Sequence, residues 1–176
     1  RLTAELLHAN RDTPYVILVI DIDRFKVINE LFGKDIGDRI LISIADGLKQ
    51  LLGGVGTFAR MESDHFAACF PQRLLDMERI IHLFEIGLKR QNLDYHIQLS
   101  FGIYHIRNIS VPINHMCDRA AMALKTIKGN AVQRFAYYDD KLRQELLDEN
   151  AILDEMNEAL AKGQFVPYLQ PIFTVD

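Results

Sequence analysis

The sequence lacks long apolar segments, has few cysteines and carries no large excess of charge, and each absence excludes a class of protein. The longest run of aliphatic residues, Val16 to Ile20, has five residues and is too short to cross a membrane. Two cysteines are too few for a disulfide framework and indicate a reducing compartment. A net charge of −4 gives no sign of a nucleic-acid-binding surface.

The start of the chain has no secretory signal, and residue 1 is Arg rather than Met. We therefore expect a cytoplasmic piece of a longer protein, and the sequence leaves open a membrane anchor upstream of it. With 176 residues, 49% of them apolar, the chain is long enough for one domain and an appendage.

Hydrophobic periodicity predicts strands and helices that alternate along the first three quarters of the chain. The predicted strands are 14–21, 55–60, 66–70, 95–106 and 131–137, and the predicted helices are 25–32, 36–51, 73–90 and 114–127. Glu62, Ser63 and Asp64 form the polar turn of a hairpin between the second and third strands. This interleaved order predicts an α/β fold with helices packed on one central sheet.

The pattern changes at Tyr138, where a long acidic amphipathic helix is predicted to run as far as Gly163. Residues 139–162 contain eight acidic and three basic residues, a net charge of −5. The apolar stripe of the helix consists of Leu142, Leu146, Leu153, Met156 and Leu160. Because an exposed apolar stripe of this length normally marks an interface, we expect it to pack on its own domain or to pair with a second chain.

Two carboxylates stand at positions where they converge if their strands are neighbours. Asp21 ends the first buried strand, and Asp64 lies in the hairpin turn. Oxygen ligands of this kind suit a Mg²⁺ ion that accompanies a nucleoside triphosphate. By spacing alone, the alternative is a pair of solvated turn aspartates.

Five separated motifs match one family in the correct order. They are Asp21–Asn29, Gly33–Asp38, Arg60–Phe66, Ser100–Ile103 and Asp118–Lys125. Residues 14–138 therefore resemble a GGDEF domain of the diguanylate cyclase family. The resemblance implies a nucleotide-cyclase or polymerase-palm α/β sandwich, in which helices flank a mostly antiparallel sheet, followed here by the long C-terminal linker helix.

The resemblance also implies roles for individual residues. Asp21, Asp64 and the backbone of Ile22 match the family's metal-binding positions, which implies Mg²⁺ as the ion that accompanies GTP.

Four further residues match the family's nucleotide-binding positions. Asn29 and Asp38 match the positions that hydrogen-bond the guanine, and Lys26 and Lys125 match positions near the triphosphate. Without the resemblance, Asn29 is interpreted as a residue at the end of a helix. Asp38 is then an acid in the N-terminal turn of a helix, where the helix dipole stabilises negative charge.

The signature itself departs from the family. The family signature has two glycines followed by two acids, and the corresponding residues here are Glu62, Ser63, Asp64 and His65. Glu62 adds bulk and a negative charge in place of a glycine, and His65 removes one carboxylate. Gly129 stands at the position of a phosphate-contacting Arg. We therefore expect no residue here to support cyclase catalysis.

His65 directly follows Asp64, which suggests a shared metal ion. Adjacent residues of a strand point to opposite faces, so we expect that the two side chains cannot easily share an ion. The alternative interpretation is a half-exposed hairpin histidine.

Residues 164–176 resemble the entry strand of an EAL phosphodiesterase domain, with the sequence Leu-Gln-Pro-Ile as its most distinctive part. The predicted organisation is a lead-in at 1–13, a degenerate GGDEF domain at 14–138, a connecting helix at 139–163 and the start of an EAL domain at 164–176.

Three functions remain in competition. The first is a guanine-nucleotide-binding module that regulates an adjoining EAL domain in cyclic di-GMP signalling. The second is a weak diguanylate cyclase, and the third is a dimerisation platform without a ligand. Neither a nucleic acid nor a membrane is expected as a partner of this segment.

Overall fold

The computed structural model describes residues 2–91, 95–130, 132–165 and 168, and only the backbone at 146, 150, 154 and 157. The chain forms two compact units, Arg1–Asp139 and Asp140–Asp176. Most of the predicted strand at 164–176 lies outside the described residues and stays a prediction.

One five-stranded sheet organises the first unit, in the order β2-β3-β1-β4-β5. The strands are β1 (Tyr15–Ile22), β2 (Thr57–Glu62), β3 (His65–Pro71), β4 (Leu99–His105) and β5 (Phe135–Tyr137). The pairs β1/β3, β1/β4 and β2/β3 are antiparallel, whereas β4/β5 is parallel. A mostly antiparallel sheet with flanking helices confirms the predicted fold class.

The helices of the described part of the chain are α1 (Leu2–Ala9), α2 (Phe25–Phe32), α3 (Lys34–Leu52), α4 (Met77–Lys89), α5 (Ile113–Ile127) and α6 (Asp140–Ala161). The first five belong to the first unit, and α6 belongs to the second. No helix of the described residues has both the length and the apolar character needed to span a bilayer.

The two faces of β1 pack against different helices. Val16, Leu18 and Ile20 join α3 and α4 in the main hydrophobic core. Ile17 instead lines a cavity together with Cys117 of α5, the helix that packs on β1, β4 and β5. Because strand residues alternate between faces, Asp21 lies on the same face as Ile17, toward α5.

The two cysteines are core residues of this second face. Cys69 and Cys117 are both buried thiols. Burial raises the pKa of Cys69 to about 12, and burial also raises the pKa of Cys117. Both side chains therefore stay uncharged at neutral pH and pack as small apolar groups of the core.

Some element boundaries differ from those predicted. The predicted helix at 73–90 begins only at Met77, because the Asp76 carboxylate accepts a hydrogen bond from the Arg79 backbone and caps the helix there. The predicted strand at 95–106 begins only at Leu99, since its partner β1 ends opposite that residue. Helix α1 lies in the region that was predicted only as a lead-in.

Candidate functional site

The centre of the site is the Asp21 carboxylate at the end of β1. Its side chain is completely buried. A buried carboxylate is costly unless positive charge or hydrogen bonds compensate it. Asp21 is therefore not one of a pair of solvated turn aspartates, and the groups next to it decide how its charge is balanced.

The hairpin turn between β2 and β3 brings two side chains to Asp21. A ligand atom of Asp21, of Asp64 and of His65 all lie within 4.8 Å of one another. The convergence of Asp21 and Asp64 follows the prediction, because β1 and β3 are neighbouring strands.

The expectation that Asp64 and His65 point apart is wrong. Asp64 lies in the turn rather than in a strand, and the pairing of β2 with β3 shifts register just before it, between Arg60 and Glu62. Strand alternation does not apply across such an irregular turn. Both side chains therefore reach the same place.

His65 lies between the two carboxylates, with a different ring nitrogen facing each. Its Nε2 atom is 2.9 Å from Asp21 Oδ1, and its Nδ1 atom is 3.4 Å from Asp64 Oδ1. The side chain is 38% exposed, which confirms a half-exposed hairpin histidine. The imidazole thus bridges the two acids that were predicted to hold the metal.

Lys128, which the sequence analysis did not single out, contacts the other side of Asp21. Its Nζ atom is 3.0 Å from Asp21 Oδ2. Lys128 follows the last turn of α5, one residue before Gly129. The sequence feature that could have indicated Lys128 is its basic side chain at the position before Gly129. The sequence does not reveal its partner, because Asp21 lies more than a hundred residues earlier.

Asp23 forms a second polar contact at the same end of β1. The buried Ser100 hydroxyl donates to both oxygens of Asp23, at 3.1 and 3.2 Å. Burial raises the pKa of Asp23 and the Asp21 charge adds to this rise, while the Ser100 hydrogen bond and the Lys128 charge oppose it. Asp23 and Lys128 also line a neighbouring cavity of about 380 Å³.

The predicted guanine-binding residues lie at the junction of α2 and α3. Asn29 is half-buried in α2, and Asp38 is exposed near the start of α3. Gly37 makes room for Asn29, because a Cβ atom at Gly37 would collide with the Asn29 carboxamide oxygen. The structure thus places the Asn29 side chain directly over the residue that precedes Asp38.

The two predicted triphosphate lysines do not contact the Asp21 cluster. Lys26 is exposed and lies 3.9 Å from Glu30 on its own helix. Lys125 is exposed near the end of α5, and its ammonium group has no ion pair with the described residues. The backbone of Ile22, the third predicted metal ligand, pairs with Leu99 of β4.

The donor set around Asp21 does not match what Mg²⁺ prefers. Mg²⁺ takes oxygen ligands in an octahedral arrangement, whereas Asp21 is flanked here by an imidazole and an ammonium group. An ammonium has no lone pair and cannot be a ligand. The two carboxylates suit Mg²⁺, but the groups beside Asp21 do not.

The turn itself carries backbone strain at one residue. Ser63 has φ of 43°, in the left-handed region, and its carbonyl oxygen accepts a hydrogen bond of 2.6 Å from Arg60 Nε. A non-glycine residue in this region costs about 1–2 kcal/mol. Of the two residues that replace the family's glycines, only Ser63 therefore needs the conformational freedom of glycine.

We expect Ser63→Gly to raise the free energy of unfolding by about 0.5–1 kcal/mol, because it removes this strain at some cost in chain entropy. The matched control is Glu62→Gly, at a strand residue without positive φ, which should lower it by about 0.5–1 kcal/mol. Chemical denaturation measures both. Equal effects of the two variants would contradict the strain at Ser63.

Comparison with known proteins identifies related domains. Residues 1–134 match the family model described as diguanylate cyclase, GGDEF domain. The bifunctional diguanylate cyclase/cyclic di-GMP phosphodiesterase MucR of Pseudomonas aeruginosa is 23% identical over 171 residues, which cover 91% of this chain and 24% of MucR. The cyclic di-GMP phosphodiesterase PdeB of Shewanella oneidensis is 24% identical over 172 residues, which cover 93% of this chain and 20% of PdeB.

This chain therefore spans about a fifth to a quarter of the length of these relatives. Among solved structures, the active GGEEF domain of a diguanylate cyclase from Vibrio cholerae is similar, with a TM-score of 0.58 and 24% identity over 78% of this chain and 90% of that domain. This similarity agrees with the sheet order and the flanking helices. Since the family model covers most of the chain, the chain belongs to the GGDEF domain family.

Proposed function

We propose that this GGDEF domain is a catalytically inactive module that binds a guanine nucleotide and regulates an adjoining EAL phosphodiesterase in cyclic di-GMP signalling. Membership of the family connects the domain with cyclic di-GMP signalling.

The observation that carries the proposal is the position of His65. The family signature has an acid where this chain has His65, and here the imidazole lies between Asp21 and Asp64. A carboxylate that could bind metal or accept a proton is therefore replaced by a group that engages the two remaining acids. Glu62 adds an exposed negative charge beside the expected phosphate position.

Nucleotide binding is supported by residues at a distance from this altered turn. The Asn29 carboxamide packs against Gly37, and Asp38 is the next residue along α3 and is exposed. Such a pair offers both donors and acceptors for a guanine edge. These residues fit retention of a base-binding site after the loss of catalysis.

The EAL partner is supported by the resemblance of residues 164–176 to an EAL entry strand and by the printed names of MucR and PdeB, which both include cyclic di-GMP phosphodiesterase. Within the second unit, α6 ends at Ala161, two residues before Gly163. The predicted role of 139–163 as a connecting helix remains part of this proposal.

Isothermal titration calorimetry with GTP tests nucleotide binding. We expect GTP to bind at least about tenfold more tightly than ATP, and Asn29→Ala to weaken GTP binding about tenfold through the loss of its hydrogen bonds to the base. The control is Asn114→Ala, an exposed asparagine in the first turn of α5, at the opposite end from Lys128. It should leave the affinity unchanged.

Equal affinity for GTP and ATP would contradict a guanine site. No heat with either nucleotide would favour the ligand-free dimerisation platform. Leu153, Met156 and Leu160 of α6 are 54%, 48% and 66% exposed, which gives such a platform an apolar surface. Light scattering on the same samples would then show a dimer.

A further inference from the structure

We propose that Lys128 is a built-in counter-ion of Asp21, which takes the place of a divalent cation, so that the domain binds its nucleotide without Mg²⁺. This inference deepens the proposed function and depends on it for the nucleotide, although the metal-binding part stands alone. It rests on the contacts of Asp21, on the way Lys128 is held and on the balance of charge.

One fully charged cation, the Lys128 ammonium group, lies close to the Asp21 carboxylate. Lys128 Nζ is 3.0 Å from Oδ2, and the two side chains are 50% and 0% exposed. The lysine therefore reaches from the surface to a completely buried acid. His65 Nε2 faces the second oxygen at 2.9 Å, so both oxygens of Asp21 have a nitrogen neighbour.

The backbone around Lys128 is fixed by hydrogen bonds on both sides. Gly129 has φ of +84°, which turns the chain sharply after α5. The Asn130 backbone N–H donates to the Ile127 carbonyl at 2.9 Å, and the Gln98 side chain donates to the Asn130 carbonyl at 2.9 Å. Since Gln98 directly precedes β4, this turn is tied to the sheet next to Asp21.

The negative charge of Asp21 can be balanced either by Lys128 or by a divalent cation, and the two cannot act together. The Lys128 ammonium offsets the charge of the Asp21 carboxylate, so this carboxylate offers little further attraction for a cation, and Asp64 is left as the uncompensated acid of the pair. A divalent ion on Asp21 would face the ammonium a few ångströms away and would have to displace it. Lys128 and a divalent cation therefore exclude each other at this carboxylate.

The same lysine is placed to meet a phosphate. Lys128 and Gly129 line the 380 Å³ cavity beside the strand end. An ammonium group is a common phosphate-binding group in proteins and needs no metal for this contact. In the family, a metal ion brings positive charge to the nucleotide phosphates at this strand end, and here Lys128 supplies that charge.

The first experiment measures binding of Mn²⁺ alone by electron paramagnetic resonance, with no nucleotide present. We expect Lys128→Gln to bind Mn²⁺ at least about tenfold more tightly than the wild-type protein, because Asp21 and Asp64 become available to the ion. Lys128→Arg keeps the positive charge and should behave like the wild type. Lys89→Gln, at the exposed end of α4, is the control for the loss of any one lysine.

The second experiment measures GTP affinity by calorimetry in EDTA and in Mg²⁺. The wild-type affinity should change less than about threefold between the two, whereas Lys128→Gln should lose about tenfold in EDTA and recover when Mg²⁺ is added. Lys128→Arg should again follow the wild type, which also covers the case in which the Gln variant fails to fold.

The results separate this inference from the proposed function. If the wild type and Lys128→Gln bind Mn²⁺ equally, or if the Arg variant gains Mn²⁺ as the Gln variant does, Lys128 is not the counter-ion. A large loss of wild-type GTP affinity in EDTA would also overturn the inference while leaving nucleotide binding intact. Absence of GTP binding under all conditions would overturn the proposed function, and the Mn²⁺ measurement would still decide the role of Lys128.

Discussion

Incubation of the purified domain with GTP is expected to yield no cyclic di-GMP that chromatography can detect. Glu62 and Ser63 stand where the family has two glycines, and His65 stands where it has an acid. Glu62 adds a charge that repels a phosphate about 4 Å away by roughly 1–4 kcal/mol, between the values for water and for a protein surface. Robust formation of cyclic di-GMP by the wild-type protein would contradict the proposal that the module is inactive.

A series of reversions separates the lost functions. The double variant Glu62→Gly with Ser63→Gly should improve GTP binding by removing charge and bulk, yet turnover should stay poor while His65 and Gly129 remain. Turnover should rise only when His65→Glu, Gly129→Arg and Lys128→Gln are added, because the first two restore the second acid and the phosphate-contacting Arg of the family and the third frees Asp21 for a divalent cation. Full activity in the first double variant would show that the other two losses matter less than we infer.

The order of the elements was predictable because hydrophobic periodicity records burial directly. The central strand ending at the Asp21 turn, the hairpin, and the helices ended by Gly33 and Gly53 all follow from residues close together in sequence. The start of β4 was not predictable in this way. It depends on where the pairing with β1 ends, and β1 lies more than seventy residues earlier in the sequence.

The site was predictable to the extent that family motifs mark it. The convergence of Asp21 and Asp64 needed only neighbouring strands. The orientation of His65 was predicted wrongly, because a period of two describes a regular strand and fails at a turn with shifted register. The contact of Lys128 with Asp21 was missed, because an ion pair between distant residues leaves no periodic pattern in the sequence.

Helix α5 connects this site to the core, and its seat on the sheet depends on Gly102. Gly102 lies in the middle of β4, below α5. A Cβ atom at this position would collide with the Ala120 carbonyl oxygen and would lie 2.8 Å from the Leu124 backbone nitrogen. Both are backbone atoms of the helix, so no side-chain rotation relieves the clash and α5 itself must move.

We therefore expect Gly102→Ala to lower the free energy of unfolding by about 3 kcal/mol, at the upper end of the usual cost of overpacking, and to lower the melting temperature by roughly 10 °C. Gly87→Ala in α4 is the matched control. An added Cβ there meets only the Ser43 hydroxyl, at 2.9 Å, which can rotate away, and alanine favours the helix by about 1 kcal/mol.

Thermal and chemical denaturation measure the two variants side by side. Because Lys128 follows the last turn of α5, a shifted helix should also draw its ammonium away from Asp21, and Mn²⁺ binding should increase in the Gly102→Ala protein that remains folded. Gly87→Ala should neither lower the free energy of unfolding nor increase Mn²⁺ binding. Equal stability of the two alanine variants would show that α5 does not need the close approach that Gly102 allows.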